Sequence, residues 1–231
     1  MNQRNTTAII LRRTDYGEAD RIISVLTPDQ GKLRLMARGV RRVKSKLAGG
    51  IELFSVSHIT YIQGRGEIGT LISTRLDSHY GTIIKDLERV QLGYELIKRL
   101  DKVTEDQADA EYFSLLQQGF EALDEASVSV DLIRQWFLAQ LLQLDGHEPN
   151  LQSDTGGKRL EATQTYNFDI EAMTFAPHPS GRFAAADIKF LRLLFSKTQP
   201  TVLSKIAGLT ELSARANPLV TAMSQQYIQN M

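Results

Sequence analysis

Seven basic side chains and no acidic one lie in residues 31–46, which read GKLRLMARGVRRVKSK. They are Lys32, Arg34, Arg38, Arg41, Arg42, Lys44 and Lys46. Lysine and arginine at this density are typical of a surface that neutralises the phosphates of a nucleic acid. A solvated edge strand that its charges protect from aggregation is the alternative, but mixed charges would serve that purpose equally well. The segment therefore predicts a contact with a nucleic-acid backbone.

The remaining motifs indicate no catalytic chemistry. GRGEIG, residues 64–69, has the spacing of a dinucleotide-binding loop, but the β-like continuation TLISTRL favours a hairpin turn with Arg65 at its tip, near phosphate. The triplet that begins at Asp154 lacks the apolar strand of an aspartic protease, and the four histidines lack the spacing of metal ligands. Since no nucleophile elbow or paired carboxylates occur either, we expect neither an enzyme nor a metal site.

Charge is distributed unevenly along the 231 residues, although the formal net charge is +0. Residues 1–80 carry 13 Lys and Arg against 7 Asp and Glu, a net +6, and the rest carry 14 against 20, a net −6. A polyanion is attracted to the first part and repelled by the second, so we expect nucleic-acid contact in the first part only. A chain without cysteine, export signal or long apolar run is expected in the cytoplasm, associated with the nucleoid if its ligand is DNA.

The basic segment must be positioned by β-structure. Five short segments rich in Ile, Val, Leu and Thr precede residue 80: TTAIILRR, DRIISVLT, GKLRLMAR, FSVSHITYI and GTLISTRL. Pro28 and Gly31 predict a hairpin turn between the second and third. In the third segment basic and apolar residues alternate, so the basic side chains share one face of the strand. This layout predicts a five-stranded barrel of the oligonucleotide/oligosaccharide-binding (OB) type, with the long basic connection after strand 3.

Three aromatic residues lie in the predicted barrel: Tyr16, Phe54 and Tyr61. An exposed aromatic ring can stack on a base of a single strand, at about 1–3 kcal/mol per base. Burial in the barrel core is the alternative, and for Phe54 it is the interpretation that we favour.

An apolar period between three and four predicts helices after residue 81. The predicted buried faces are Ile84, Leu87, Val90, Tyr94, Ile97 and Leu100; then Tyr112, Leu116, Phe120 and Leu123; then Val130, Ile133, Phe137, Leu141 and Leu144. Gly146 is expected to end the third helix. An irregular insertion at about 147–183, with strands in TYNFDI and MTFAP, precedes further helices from Ala185 and a terminal helix after Pro218. We therefore predict an α+β chain with an OB domain at 1–80 and an α-helical domain at 81–231.

Residues 19–61 and the following GRGEIGTLIS resemble the amino-terminal domain of the RecO family of recombination mediators. The residues that carry the resemblance are Thr27, Gly31, Lys32, Leu33, Ala37, Arg38, Gly39, Arg41, Lys44, Ser45, Leu47, Phe54, Gly64, Arg65, Gly66 and Glu67. The helices resemble the family more loosely, through LIRQWFLAQLLQLDGHEPNL. The resemblance implies a mediator of DNA repair and homologous recombination that binds single- and double-stranded DNA and anneals complementary strands without turnover chemistry.

The resemblance also implies partners: RecR, the acidic C-terminal tail of single-strand DNA-binding protein and, indirectly, RecA. Arg134 is the implied contact for a tail carboxylate, with Trp136 as an apolar neighbour. Many relatives carry a four-cysteine zinc site after the position of His147, and this cysteine-free chain departs from that pattern. Its lobe, degenerate and zinc-finger-like, is therefore expected to bind no zinc and to need no cofactor.

Two other functions are compatible with the sequence. An RNA-binding or ribosome-associated OB-fold protein would use the same phosphate-directed surface, which need not distinguish a 2′-hydroxyl. A hydrolase or nuclease whose site leaves no recognisable motif is the other.

Overall fold

The computed structural model describes residues 3–104 and 109–228, in two compact units, Met1–Asp124 and Glu125–Met231. The first unit contains β1 (Gln3–Tyr16), β2 (Asp20–Thr27), β3 (Gly31–Ala37), β4 (Ser55–Ile62), β5 (Ile68–His79), α1 (Leu87–Val103) and α2 (Ala110–Asp124). The second contains α3 (Val130–Leu144), β6 (Asn150–Asp154), β7 (Tyr166–Asp169), β8 (Thr174–Pro177), α4 (Ala185–Leu194), α5 (Pro200–Leu203) and α6 (Leu209–Tyr227). The helical domain predicted at 81–231 includes α1 and α2, and its boundary at residue 80 stays a prediction.

The first five strands form a closed barrel in the order β1-β2-β3-β5-β4, with β1 also paired to β4. All pairs are antiparallel except β3 with β5, where Arg34 lies opposite Ile68. The predicted turn joins β2 to β3, since Thr27 pairs with Gly31, whose φ of 64° suits glycine. Apolar side chains fill the interior: Ala8, Ile10, Ile23, Val25, Leu35, Ala37, Val40, Ile51, Ile59, Tyr61 and Leu71. The predicted α+β class with an OB-type barrel is confirmed.

The buried face of α1 differs from the prediction. Ile84, Leu87 and Tyr94, which were expected to be buried, are exposed. The buried side instead includes Gly93, where an added Cβ would lie 2.6 Å from the ring of Phe54, and Arg89, whose guanidinium donates to the Leu123 carbonyl oxygen at 2.7 Å. The predicted apolar stripe was wrong in part because a glycine and an arginine, which periodicity does not count, provide the contacts that orient the helix.

The helices of the second unit follow the prediction more closely. Phe137 is buried on α3, and Gly146 ends this helix with φ 80° as expected. The terminal helix is an exception, because α6 begins at Leu209 and contains Pro218 in its interior. The apolar face of α6 continues on both sides of this proline and packs on α3, which stabilises the helix despite the N–H that proline lacks.

The insertion folds as a small three-stranded sheet in the order β6-β8-β7. The strands β7 and β8 coincide with the predicted TYNFDI and MTFAP, whereas β6 was not predicted. Phe175 makes edge-to-face ring contacts with Tyr166, Phe168 and Phe183, at centroid distances of 6.0, 5.1 and 5.7 Å. Aromatic packing therefore stabilises this lobe.

In the parts of the chain that the structure describes, no helix is both long enough and apolar enough to cross a membrane.

Candidate nucleic-acid interface

The outer face of β1, β2 and β3 presents side chains in rows across the three strands. Because Ile23 and Leu35 point into the core, their neighbours along each strand point outward. Ser24 lies between Arg12 of β1 and Arg34 of β3. The register therefore places two arginines on the outer surface in the same row, one on each side of a small serine.

The next rows lie toward the β1–β2 turn. Ile22 is flanked by Thr14 on β1 and Met36 on β3, and Ile22 and Met36 are partly exposed. Asp20 lies opposite Tyr16 at the end of the hairpin. This end of the face thus combines apolar side chains with the basic residues around it.

The other end of this face is covered by helices. Ile9 and Leu26, which pair across β1 and β2, are fully buried where α1 and α2 pack on these strands. Lys32 lies at this end, and its ammonium group donates to the Asp101 carboxylate at 2.9 Å and to the Asp101 carbonyl at 2.8 Å. Lys32 was predicted to contact nucleic acid, but in this structure it is engaged in a partly buried ion pair that joins β3 to α1.

The basic loop, residues 38–46, is attached to the β1–β2 turn. The Gly39 N–H donates to the Asp20 carboxylate at 2.6 Å, and the Arg41 N–H donates to the Ala19 carbonyl at 2.9 Å. Val40 is buried in the barrel core, which anchors the start of the loop. These contacts fix the start of the loop beside the open face of the barrel.

Most of the predicted cations are available to a ligand. Of the predicted cations, those that are exposed and have no carboxylate within ion-pair distance among the described residues are Arg34, Arg38, Arg42, Lys44, Lys46 and Arg65. Arg41 is exposed too, but its guanidinium lies 3.5 Å from the Asp15 carboxylate. A hydrogen bond from Arg21 and the nearby charge of Arg41 lower the pKa of Asp15 below its ordinary value, so this carboxylate stays ionised at neutral pH.

Arg65 lies in the exposed turn between β4 and β5, as predicted for the GRG sequence. The Gln63 side chain donates to the Gly66 carbonyl at 2.7 Å within this turn. Because Ile68, which begins β5, lies opposite Arg34, the turn leads directly to the edge of the basic face.

Arg12 is a candidate that the sequence analysis missed. It is exposed, and the structure gives it no carboxylate partner among the described residues. A register shift between Ile10 and Arg12 reverses the alternation of β1, so Arg12 faces outward and Arg13 binds Glu52 at 2.7 Å. Simple alternation from Ile10 would have placed Arg13 on the outer face instead. The only signal in the sequence for a cation here was that two arginines, Arg12 and Arg13, follow one another.

Comparison with known proteins identifies the family. Residues 1–79 match the family described as "Recombination protein O N terminal". The chain is 31% identical over 235 residues to a DNA repair protein RecO of Roseiflexus sp. (strain RS-1), covering 98% of this chain and 80% of that protein. The chain belongs to the RecO family. It therefore groups with DNA repair and recombination proteins, as the sequence resemblance implied.

Other RecO relatives align over shorter stretches. The DNA repair protein RecO of Dehalococcoides mccartyi (strain ATCC BAA-2266 / KCTC 15142 / 195) is 33% identical over 163 residues, 70% of this chain and 64% of that protein. That of Desulfatibacillum aliphaticivorans is 32% identical over 149 residues, 63% of this chain and 58% of that protein. These two alignments span less than two thirds of the relatives' own length.

The residues implied as RecO partner contacts lie on α3. The Arg134 guanidinium lies 3.0 Å from the Asp131 carboxylate, one turn earlier on the helix, and Arg134 is partly exposed. Trp136 is only 2% exposed, which does not fit an apolar contact with a partner. Nine of the 15 residues of α3 are buried, so the aromatic side chains next to Arg134 belong to the core.

The zinc site that the resemblance associates with many RecO relatives does not fit this chain. There is no cysteine, and within residues 3–104 and 109–228 no three His, Asp or Glu side chains lie together as a metal site requires. The Asp154 carboxylate, in the corresponding lobe, accepts hydrogen bonds from the Gly156 and Lys158 N–H groups at 2.8 and 3.0 Å. This carboxylate closes a turn within the polypeptide.

Proposed function

We propose that this RecO-family protein binds single- and double-stranded DNA through the β1–β2–β3 face and the basic loop, and promotes annealing of complementary strands. The observation that carries the proposal is the group of exposed cations on adjoining elements, without carboxylate partners. Contacts of this kind are directed at phosphate and are insensitive to base sequence.

Annealing follows from the same electrostatics. Two complementary strands repel each other through their phosphates, and a protein that neutralises these charges lowers the repulsion. Because the arginines and lysines contact the backbone, the pairing edges of the bases stay free to meet a second strand. No bond is made or broken by the protein, so we propose a mediator without turnover or cofactor.

We further propose that the helical part of the chain, residues 81–231, supports binding to protein partners: RecR and the acidic tail of single-strand DNA-binding protein, which leads to the loading of RecA. Residues 81–231 carry a net −6, which disfavours DNA, so an acidic tail has to bind there at a local cation. Arg134 is the proposed contact for a tail carboxylate, which would replace Asp131 as its partner. Loss of tail-peptide binding in Arg134→Ala would support this role, and unchanged binding would refute it.

An annealing assay tests the central proposal. Replacement of Arg38, Arg41, Arg42 and Lys44 by alanine should slow annealing of complementary oligonucleotides and weaken binding to all sequences alike. The assay should be repeated with the strands coated by single-strand DNA-binding protein, with and without its acidic tail. An annealing rate equal to that of the wild type in the four-fold variant would contradict the proposal.

Three measurements test the alternatives and the proposed lack of a metal. Competition between RNA and DNA oligonucleotides of one sequence should favour DNA, whereas preference for RNA would support the alternative function. Incubation of labelled DNA with divalent metal should give no cleavage. Removal of metal by a chelator should leave the thermal unfolding midpoint unchanged, because aromatic packing stabilises the lobe at 147–183.

A further inference from the structure

Tyr16 is the only aromatic residue of the barrel strands and their connections, within the described residues 3–79, that is accessible to a ligand. It is 55% exposed, whereas Phe54 and Tyr61 are 3% and 0% exposed. An exposed aromatic ring at a hairpin end contributes little to the core, so its side chain is available for contact with another molecule.

The position of Tyr16 relates it directly to the cationic surface. It lies on the outer face of β1, two residues after Thr14 and four after Arg12, with no register shift between them. Its partner across the hairpin is Asp20, whose carboxylate accepts the Gly39 N–H on the other side. Tyr16 and the start of the basic loop therefore flank the same residue, roughly two strand spacings, or about 10 Å, apart.

The outer surface of the barrel next to Tyr16 is apolar. Ile22 and Met36 are partly exposed in the neighbouring row, between the row of Arg12 and Arg34 and the end of the hairpin. A surface that contacted only phosphate would not need an aromatic ring and two apolar side chains among its cations. Single-stranded nucleic acid can contact this ring and these apolar side chains, because its unpaired bases have exposed apolar faces.

We propose that Tyr16 is a stacking platform for an unpaired DNA base, and that it gives this surface a higher affinity for single strands than for blunt duplex. This inference rests on the proposed DNA-binding function and adds a base contact to it. Stacking occupies the face of the base and leaves its pairing edge free, so it is compatible with annealing. In an intact duplex the faces are covered by neighbouring base pairs, and Tyr16 has no equivalent contact.

The test compares oligo-dT with an abasic oligonucleotide of equal length, which has the same phosphates and no bases. The wild type should bind oligo-dT roughly 5- to 150-fold more tightly, the range that stacking of one base provides. Tyr16→Leu should reduce this ratio toward one and change the affinity for blunt duplex less than about twofold, since duplex binding depends on the phosphate contacts that the variant retains. Tyr16→Phe should retain the ratio, because the ring is preserved.

Tyr94→Leu is the matched control. Tyr94 has a similar exposure, 50%, in the same unit, but it lies on α1, so its replacement should leave the ratio unchanged. Cross-linking adds a structural readout: 5-iodouracil in the oligonucleotide should attach to the tryptic peptide 14–21 of the wild type and of Tyr16→Phe, and not of Tyr16→Leu.

The outcomes separate the two proposals. If the wild type bound both oligonucleotides with equal, salt-dependent affinity, the stacking role would be refuted and phosphate binding retained. An unchanged ratio in Tyr16→Leu would refute it as well. If the wild type bound neither oligonucleotide, the proposed DNA-binding function itself would be wrong.

Discussion

The salt dependence of DNA binding can be worked out from the exposed cations. The outer face of β1–β3, the basic loop and the β4–β5 turn carry seven exposed cations that have no carboxylate partner among the described residues: Arg12, Arg34, Arg38, Arg42, Lys44, Lys46 and Arg65. Each phosphate contact to a single strand contributes about −0.7 to the slope of log affinity against log salt concentration. Seven contacts give a slope of about −5, so raising the salt from about 50 to 200 mM should weaken binding roughly 1000-fold.

Replacement of Arg34, Arg38, Arg42 and Lys44 by glutamine leaves three of these contacts and a slope of about −2. The same increase in salt should then weaken binding only about 20-fold, and the change should be equal for oligonucleotides of different sequence. Fluorescence anisotropy with labelled oligonucleotides at four or five salt concentrations measures both slopes. Because the slope counts ions released, it is independent of the fraction of active protein.

A matched variant tests whether the salt slope depends on contacts at the barrel or on the net charge of the protein. Replacement of Lys158, Arg159, Lys189 and Lys205 by glutamine removes four exposed cations from the second unit and changes the net charge equally. This variant should keep the slope of the wild type. Equal slopes in all three proteins, or equal losses in both variants, would refute the assignment of the phosphate contact to the barrel.

Three further predictions concern contacts within the first unit. Lys32→Gln should leave the salt slope unchanged but lower the thermal midpoint by a few degrees, since this side chain pairs with Asp101 at about 1 kcal/mol; a reduced slope at constant stability would contradict the pairing. Gly93→Ala should lower the free energy of unfolding in urea by about 1–3 kcal/mol, because its Cβ would meet the ring of Phe54; an unchanged denaturation midpoint would show that the ring can move away at little cost. Burial raises the pKa of Tyr80 from 10.0 to about 12, so its contribution to the free energy of unfolding is fully present below pH 10 and is lost as the pH rises through the folded pKa. The loss of stability at alkaline pH should be smaller in Tyr80→Phe, and equal losses in both proteins would assign it to another group.

Local patterns in the sequence predicted much of the barrel. The alternation in β3 places Leu35 and Ala37 in the core and Arg34 and Arg38 outside, as the structure shows. This works because neighbouring side chains of a strand point to opposite faces whatever the rest of the fold does. The density of charge in residues 31–46 is likewise a property of the sequence, and it predicted the exposed basic loop without knowledge of the fold.

The helices were harder to predict because two apolar stripes overlap on α1. Periodicity favoured the face with Leu87 and Tyr94, yet the structure buries the face with Gly93. The choice depends on the ring of Phe54, 39 residues earlier in the chain, which needs a position without a side chain. Such a contact has no signal in a local window.

The sequence by itself determined where the positive charge lies, which five segments become the barrel strands and how side chains alternate between core and surface in β3, because these follow from side-chain chemistry and the two-residue period of a strand. Only the tertiary structure decided which cations remain available. It engaged Lys32 with Asp101, turned Arg12 outward through a register shift, and left Tyr16 exposed beside the basic loop. These outcomes depend on contacts between segments that are distant in the chain. The residue type fixes the chemistry of a side chain, but these contacts determine its environment.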